Sequence, residues 1–217
     1  MIVIFGEQEF FLCASGILLW PEQRMGIVSD MHLEKGSHFA KRGFFLPPYD
    51  SQETLQRLLT VCEKEKLQRL IILGDGFHDA MGYDRLPPRA KQLFDQLREY
   101  ELTWIRGNHD SEFVPEGIAV LDSVTIERIT FCHQAVAGAE GYEISGHFHP
   151  KIVLIHKGGY VQKDCFVSDG QKFILPAFGS YTGGMPVDQE PFSSLFKDKV
   201  NAYALGEERV FRIPVKS

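Results

Sequence analysis

The feature that most constrains the fold is an alternation, in the first half of the chain, of short apolar runs with amphipathic segments. The runs lie at 24–30, 69–73 and 102–106. Between them, residues 50–67 and the segment after Pro87-Pro88 repeat apolar residues every three or four positions, the spacing of a helix that buries one face. A strand–helix–strand–helix–strand order implies parallel strands joined by right-handed crossovers. We therefore predict an α/β layer with a parallel sheet.

The predicted helix over 50–67 carries a signal at its start. Asp50 and Ser51 are both residue types that cap a helix through the side chain, and Glu53 follows Asp50 by three positions, as in a capping box. We predict that one of the two caps this helix. Its buried face is predicted to contain Leu55, Leu58, Leu59 and Cys62.

After residue 120 the pattern changes to strand-like runs separated by glycine-rich turns. The runs lie at 124–132, 141–146, 151–156, 160–168, 172–176, 201–205 and 209–215. This series predicts a mainly β, antiparallel second half. Two sheets packed face to face, with helices outside, would accommodate both halves in a single domain over 1–217. The one long irregular segment is 181–199, to which the sequence assigns no role.

Composition narrows the class of protein. The chain has 44% hydrophobic and 24% charged residues, which is ordinary for a globular protein. Its net charge of −6 does not fit a broad basic surface for DNA, so any nucleic-acid contact must be local. The apolar N-terminus lacks a basic leader and is interrupted at Ala14-Ser15-Gly16, which indicates a hairpin and no membrane span. The four cysteines lack any short pairing or zinc-knuckle spacing, which favours reduced thiols and a cytoplasmic location.

Side chains that bind metals follow the apolar runs. Asp30 and His32 come after the first run, Asp75 after the second and Asn108 after the third. Because ligand sites of parallel α/β sheets lie at the carboxyl ends of strands, we predict that these side chains converge. The second half adds His133, His147 and His149, each after an apolar run. Seven nitrogen and oxygen donors exceed what one ion takes from a protein, so we predict two divalent ions that share a carboxylate.

The order of these motifs resembles the calcineurin-like metallophosphoesterase superfamily. The motifs are D-x-H from Asp30, G-D-x-x-H from Gly74, G-N-H-D from Gly107, the lone His133 and G-H-x-H from Gly146. A closer likeness, which extends to 175–184, is to the bacterial ligase-associated DNA damage response endonucleases, the PdeM group of ICC-like phosphoesterases. The chain departs from that group at Gly76, where a bulkier apolar residue is more usual. The resemblance implies a four-layer α/β/β/α sandwich of two mixed sheets flanked by helices.

The resemblance also implies a role for each donor. One ion would be bound by Asp30, His32 and His149, the other by Asn108, His133 and His147, with Asp75 as the bridge. His109 would be the catalytic histidine, Asp110 would orient its ring, and His78 would support the site from outside the ligands. Manganese is the implied metal, with iron, zinc or magnesium as alternatives. The implied reaction is in-line attack on a phosphodiester by a hydroxide that bridges the ions.

Basic and aromatic residues follow the first metal motif. Lys35 and Arg42 are candidates for binding the substrate phosphate, although basic residues on a surface loop are usually just solvated. The aromatic residues among them can stack on unpaired bases, but we expect them to be buried in the core. They are Phe39, Phe44, Phe45 and Tyr49. Residues 181–184 could form a flexible wall of the site or only a turn.

Three functions stay open at this point. The favoured one is a dinuclear phosphodiesterase that acts as an endonuclease or other nuclease in DNA repair, on single-stranded or damaged DNA. The alternative is a hydrolase of nucleotides or other small phosphoesters, which the acidic net charge suits. A third is a scaffold that kept the fold and lost the chemistry, against which the complete donor set argues. Partners such as a DNA ligase or helicase are implied only by the name of the group.

Overall fold

The structure, a computed structural model, describes residues 1–110, 117–156, 158–196 and 199–215. Its α-helices are α1 (Lys35–Ala40), α2 (Asp50–Lys64), α3 (Gly82–Arg85), α4 (Pro88–Gln96) and α5 (Phe192–Leu195). Its strands are β1 (Ile2–Phe5), β2 (Gln8–Leu12), β3 (Leu18–Trp20), β4 (Met25–Val28), β5 (Arg69–Leu73), β6 (Glu101–Ile105), β7 (Ala119–Leu121), β8 (Ser123–Ile126), β9 (Ile129–Cys132), β10 (Tyr142–Ser145), β11 (Pro150–His156), β12 (Gly159–Ser168), β13 (Lys172–Ile174), β14 (Met185–Pro186), β15 (Asn201–Leu205) and β16 (Val210–Pro214). Within these described ranges, no helix combines the length and the apolar character needed to cross a membrane.

The first sheet contains the predicted parallel layer. Its seven strands lie in the order β1 to β7. The four strands from β4 to β7 pair in parallel, with α2 between β4 and β5 and α4 between β5 and β6 along the chain. The N-terminal strands pair antiparallel, which confirms the predicted hairpin. The alternation of apolar runs with amphipathic segments therefore predicted this layer correctly.

The second sheet is mixed, so the expectation of a mainly antiparallel half needs correction. Its strand order is β14-β11-β12-β13-β10-β9-β8, with β15 beside β12 and β16 beside β15. β10 pairs in parallel with both β9 and β13, and β11 pairs in parallel with β14. Apolar runs carry no signal for pairing direction. The direction matters because the parallel strands β9 and β10 end at the same edge of the sheet.

Three groups of buried side chains show how the layers are ordered. The first packs α2 and α4 on one face of the first sheet and includes Leu58 and Phe94. The second fills the space between the two sheets and includes Trp20 and Phe131. The third lies on the outer face of the second sheet, where Phe192 of α5 is buried. Burial of apolar surface at these three contacts holds together the helix, sheet, sheet and helix layers, which confirms the predicted sandwich.

The start of α2 differs from the prediction. Its N-terminal flanking residue is Tyr49, and no side chain caps it. Asp50 Oδ2 instead accepts a hydrogen bond of 2.9 Å from the backbone N–H of Gly36. Ser51 Oγ accepts one of 2.7 Å from the N–H of Glu34 and donates one of 2.8 Å to the Glu34 carboxylate. The two predicted caps therefore hold the start of α1 and the loop residue Glu34 before it.

The segment 181–199 is less irregular than expected. It contains the short strand β14, which extends the second sheet, and the helix α5. Positions 197 and 198 lie outside the described residues.

Gly76, the position at which the chain departs from the PdeM group, lies against the ring of Trp104. A Cβ atom on Gly76 would lie 1.9 Å from Trp104 Cζ2 and 2.2 Å from its Cη2. The Trp104 side chain is fully buried and contacts the core beneath α4. The indole ring therefore takes up the space that a larger residue at position 76 would need.

We predict that Gly76→Ala lowers the free energy of unfolding by about 1–3 kcal/mol, the range for overpacking a close-packed site. Chemical denaturation measures this loss. Gly159→Ala is the matched control, because a Cβ at Gly159 would meet nothing within 4 Å. A Gly76→Ala variant as stable as the Gly159→Ala control would contradict the packing described for Trp104.

Candidate metal centre

Each predicted donor lies just beyond the end of a strand. The donors of the first sheet are Asp30 and His32 after β4, Asp75 after β5 and Asn108 after β6. Those of the second sheet are His133 after β9, and His147 and His149 after β10. Both sheets therefore contribute to one edge of the sandwich, and the structure brings all seven residues together there.

Five of these residues have a left-handed backbone. Their φ angles are +53° at Asp30, +42° at His32, +49° at Asp75, +70° at His147 and +46° at His149. This conformation costs a non-glycine residue about 1–3 kcal/mol and persists only where its surroundings require it. The chain therefore turns sharply after β4, β5 and β10 and presents these five side chains to a common centre.

The first group of donors consists of Asp30, His32 and His149. The Nε2 atoms of the two histidines lie 3.2 Å apart. His149 Nε2 lies 3.3 Å from Asp30 Oδ1. Ligands that each lie about 2 Å from one ion are separated by about 3–4 Å, so this group has the spacing of a metal site.

The second group surrounds His133. Its Nε2 atom lies 2.9 Å from Asn108 Oδ1, 3.1 Å from His147 Nδ1 and 3.6 Å from Asp75 Oδ2. The other ring nitrogen, Nδ1, lies 2.8 Å from the carbonyl oxygen of Leu73 and donates its hydrogen to it. Nε2 then carries the lone pair, which is the usual arrangement of a histidine that binds a metal.

Asp75 lies between the two groups. Its Oδ2 atom is 3.9 Å from His32 Nε2 and 3.6 Å from His133 Nε2. Its Oδ1 atom accepts a hydrogen bond of 2.9 Å from the backbone N–H of His109. Burial raises the pKa of this carboxyl, and the neighbouring His133 works against that rise. Among the described residues, Asp75 is thus the donor that lies within reach of both groups.

The chemistry of the donors fits divalent cations. Asp30 is fully buried, yet its Oδ1 atom has no hydrogen-bond partner among the described residues. Burial lowers the pKa of His32 to about 3, and burial and then the neighbouring His133 lower the pKa of His147. His32 faces His149, and His147 faces His133, each pair with ring nitrogens about 3 Å apart beside a buried carboxylate, so a cation within each group would satisfy lone pairs that otherwise oppose each other.

His109 points into the same centre from the loop after β6. Its Nδ1 atom lies 2.8 Å from the carbonyl oxygen of His78, and its Nε2 atom lies 3.9 Å from Asp75 Oδ2. The side chain is 38% exposed, so a substrate can reach it. The carbonyl of His78 fixes the direction of the ring, while the His78 ring stacks on it at 5.3 Å.

A comparison with models of protein families identifies the family of this protein. The model of the calcineurin-like phosphoesterase family matches residues 24–203, which is most of the 217-residue chain. The chain belongs to the calcineurin-like phosphoesterase family. This confirms the resemblance of the sequence motifs, and it makes the chain a metal-dependent phosphoester hydrolase.

One solved structure agrees in fold over nearly the whole chain. The calcineurin-like phosphoesterase described here is similar to the Pseudomonas putida nuclease MPE, with 27% sequence identity and a TM-score of 0.76 over 98% of this chain and 99% of that chain. It is also similar to YfcE, a phosphoesterase from E. coli, with 18% identity and a TM-score of 0.44 over 88% of this chain and 99% of that chain. A search of curated protein sequences finds no match.

Asp110 of this phosphoesterase is placed differently from the expectation that it orients the His109 ring. Its carboxylate accepts hydrogen bonds from Trp104 Nε1 at 2.9 Å, from Gly107 N at 3.1 Å and from Gly76 N at 3.2 Å. The ring of His109 is held by His78 instead. Asp110 therefore ties together the loops after β5 and β6. Its carboxylate bonds to Trp104, Gly107 and Gly76, whereas the expected role requires a bond to the His109 ring.

The two predicted phosphate-binding residues lie in different cavities. Lys35 lines a cavity of about 510 Å³ beside α1, together with Phe39. Arg42 lines a second cavity of about 430 Å³, together with His38 and Arg85. The charge of Lys35 contributes, after burial, to lowering the pKa of His78 to about 4. Each cavity also contains a ring that packs against His78, Phe39 in the cavity of Lys35 and His38 in that of Arg42.

Ser29 is a supporting residue that the sequence reasoning missed. Its hydroxyl donates a short hydrogen bond to the carboxylate of Asp30. The same carboxylate accepts one of 2.9 Å from the N–H of His147, which links the two sheets. Gly146 is required here, because a Cβ at that position would lie 1.5 Å from Ser29 Oγ. In the sequence, only the position of Ser29 directly before Asp30 could have indicated this supporting role.

A network around Asp79 supports the other side of the centre and was also missed. Asp79 accepts two hydrogen bonds of 2.8 Å from Arg85 and lies 2.6 Å from His38 Nδ1. Partial burial acts to raise the pKa of Asp79, but hydrogen bonds from Arg85 and His38 hold it well below its usual range. The His38 ring in turn packs against His78 at 4.6 Å. No motif in the sequence connects Arg85 of α3 with this site.

Proposed function

We propose that the chain is a dinuclear metal-dependent phosphodiesterase that cleaves DNA, with single-stranded or damaged DNA as its substrate. The observation that carries the proposal is the pair of donor groups with Asp75 within reach of both. The full-length similarity to a protein named as a nuclease, at 27% identity, supports the choice of nucleic acid.

We propose that one ion binds Asp30, His32 and His149, and that the other binds Asn108, His133 and His147, with Asp75 shared. The short spacing of the donor atoms within each group supports this assignment. Mixed nitrogen and oxygen ligands suit manganese, iron or zinc better than calcium, and we propose manganese. Two such ions, when bound, neutralise phosphate charge and lower the pKa of water toward neutrality.

The residues of the chain orient the reactants and move a proton. A water that has given one proton to the solvent attacks phosphorus in line; the new P–O bond forms while the opposite P–O bond breaks, and the leaving oxygen takes the proton that His109 holds on Nε2. The Nδ1–H of His109 is donated to the carbonyl of His78, so a proton on Nε2 is directed at the leaving oxygen. His78 and Asp110 act as positioning residues, because each holds a loop of the site.

We further propose that residues 1–217 form a single domain, that the enzyme is cytoplasmic and that it acts in DNA repair. The four cysteines are free thiols, of which Cys62 and Cys165 are buried, and this supports a reducing compartment. Interaction with a DNA ligase or helicase is part of the same proposal and rests on the PdeM resemblance.

A substrate panel tests the proposed function. With manganese, the protein is expected to cleave single-stranded and nicked oligodeoxynucleotides and bis(p-nitrophenyl) phosphate, and a chelator is expected to abolish every activity. Gel analysis of end-labelled strands separates internal from terminal cleavage. Hydrolysis confined to mononucleotides or cyclic nucleotides would favour the small-phosphoester alternative. Absence of hydrolysis of any phosphodiester would contradict both.

A further inference from the structure

Aromatic side chains between α1 and α2 are exposed, contrary to the expectation that they lie in the core. The exposed fraction is 66% for Phe44, 85% for Phe45 and 60% for Tyr49. Tyr181, from the segment after β13, is 40% exposed. Exposed rings of this size are rarely left in contact with water without a binding role when they cluster.

Two of these rings line the cavity of about 510 Å³ beside α1. Its described lining consists of Lys35, Phe39, Phe44, Leu46, Tyr181 and Gly183. The hydroxyl of Tyr181 donates a hydrogen bond of 3.2 Å to the carbonyl of Pro47, which ties the two sides of the cavity together. Among these six residues Lys35 is the charged one, so the cavity is apolar and aromatic with a single positive group.

The cavity is linked to the metal centre through a row of aromatic rings. The Phe39 ring stacks on the His78 ring with centroids 5.9 Å apart and an interplanar angle of 25°. The His78 ring stacks in turn on His109 at 5.3 Å and 22°. A row of three rings therefore leads from the cavity to the residue proposed to protonate the leaving oxygen.

We propose that this cavity binds one unpaired base of the nucleic-acid strand whose phosphodiester lies at the metal centre, with the base stacked on Phe44. Aromatic rings bind any base through its face, and Lys35 complements the negative charge of the adjoining phosphate. A base within a duplex is already paired and stacked, so the cavity selects unpaired strands. The inference rests on the proposed function, since it names the part of the substrate that this site recognises.

Substitution of Phe44 tests the proposal with an oligothymidylate, a strand without secondary structure. Phe44→Leu is expected to raise the KM for cleavage about fivefold to a hundredfold, the loss of one stacked base, with kcat little changed. Phe44→Trp is expected to stay within about twofold of the wild type, because it keeps the ring. On a strand of abasic residues, Phe44→Leu and the wild type are expected to have the same KM.

The Phe44→Trp variant also reports binding directly. The two native tryptophans, Trp20 and Trp104, are fully buried, so an indole at position 44 is distinguishable by its exposed fluorescence. Oligothymidylate is expected to quench that fluorescence, and the abasic strand is not. Quenching of equal strength by both strands would argue against stacking.

Two controls separate the inference from the proposed function. Tyr160→Ala removes another exposed ring, 77% exposed at the start of β12, and is expected to leave the KM unchanged. The manganese content of Phe44→Leu is expected to equal that of the wild type. If the wild type cleaves oligothymidylate and Phe44→Leu does so with the same KM, the inference is wrong and the nuclease proposal stands. If the wild type hydrolyses bis(p-nitrophenyl) phosphate but no strand, the nuclease proposal itself is wrong.

Discussion

Asp75→Asn is expected to lower the turnover of bis(p-nitrophenyl) phosphate by more than about 10³-fold while the protein stays folded. The side chain lies between both donor groups, at 3.9 Å from His32 Nε2 and 3.6 Å from His133 Nε2. An amide has one coordinating oxygen and no charge, so it cannot bridge and neutralise two cations. Loss of several kcal/mol of transition-state stabilisation corresponds to a fall in turnover of this size. Folding should survive, because the amide oxygen can still accept the hydrogen bond from the N–H of His109.

Asp122→Asn is the matched control for this variant. Asp122 also follows a strand of the first sheet directly, but its side chain is 92% exposed and pairs with Arg106. Its activity is expected to equal that of the wild type. Circular dichroism and thermal unfolding establish that both variants are folded. An Asp75→Asn enzyme with more than about a tenth of wild-type turnover would rule out the bridging role.

His109→Ala is expected to lower kcat by about 10²–10⁴-fold, the range for loss of a general acid. The ring is anchored through Nδ1 to the carbonyl of His78, which directs Nε2 into the centre. The same ring also belongs to a third possible donor group with His32 and Asp75. Measurement of bound metal distinguishes the two roles.

Retention of both ions in His109→Ala, together with the loss of kcat, is the expected combination. Loss of an ion would instead assign His109 as a ligand. Asn108→Ala, the neighbouring substitution, is expected to lower metal content, because Asn108 Oδ1 lies 2.9 Å from His133 Nε2 within the second group. Full activity of His109→Ala would exclude the acid role.

The sequence correctly predicted that these side chains meet, because their position follows from a rule of topology. Once 24–30, 69–73 and 102–106 are recognised as parallel strands, whatever follows them must meet at one edge of the sheet. The histidines of the second half were added to this cluster because each follows an apolar run, but the runs themselves gave no direction for their strands. The parallel pairing of β9 with β10 is what aligns His133 with His147.

The predictions that failed depended on contacts between residues distant in sequence. Asp50 and Ser51 have the right residue types for a helix cap, but the loop before α1 competes for the same side chains. Asp110 follows His109 directly, yet its hydrogen bonds go to Trp104, Gly107 and Gly76.

The aromatic residues after α1 show a different limit of sequence reasoning. Hydrophobic side chains are expected to be covered, but the sequence does not show whether the protein core or a bound ligand covers them. Phe39 stacks on His78, whereas Phe44 and Phe45 extend outward. The sequence does not indicate whether a ligand is bound, so we predicted that all of these residues lie in the core.

Metal analysis of the purified protein after reconstitution with manganese tests the central claim most directly. We expect about two ions per chain in the wild type and about one in Asp30→Ala, whose carboxylate belongs to the first group alone. A wild-type protein that binds fewer than two ions at saturation, or an Asp30→Ala variant that keeps both, would contradict a centre built from two donor groups around Asp75.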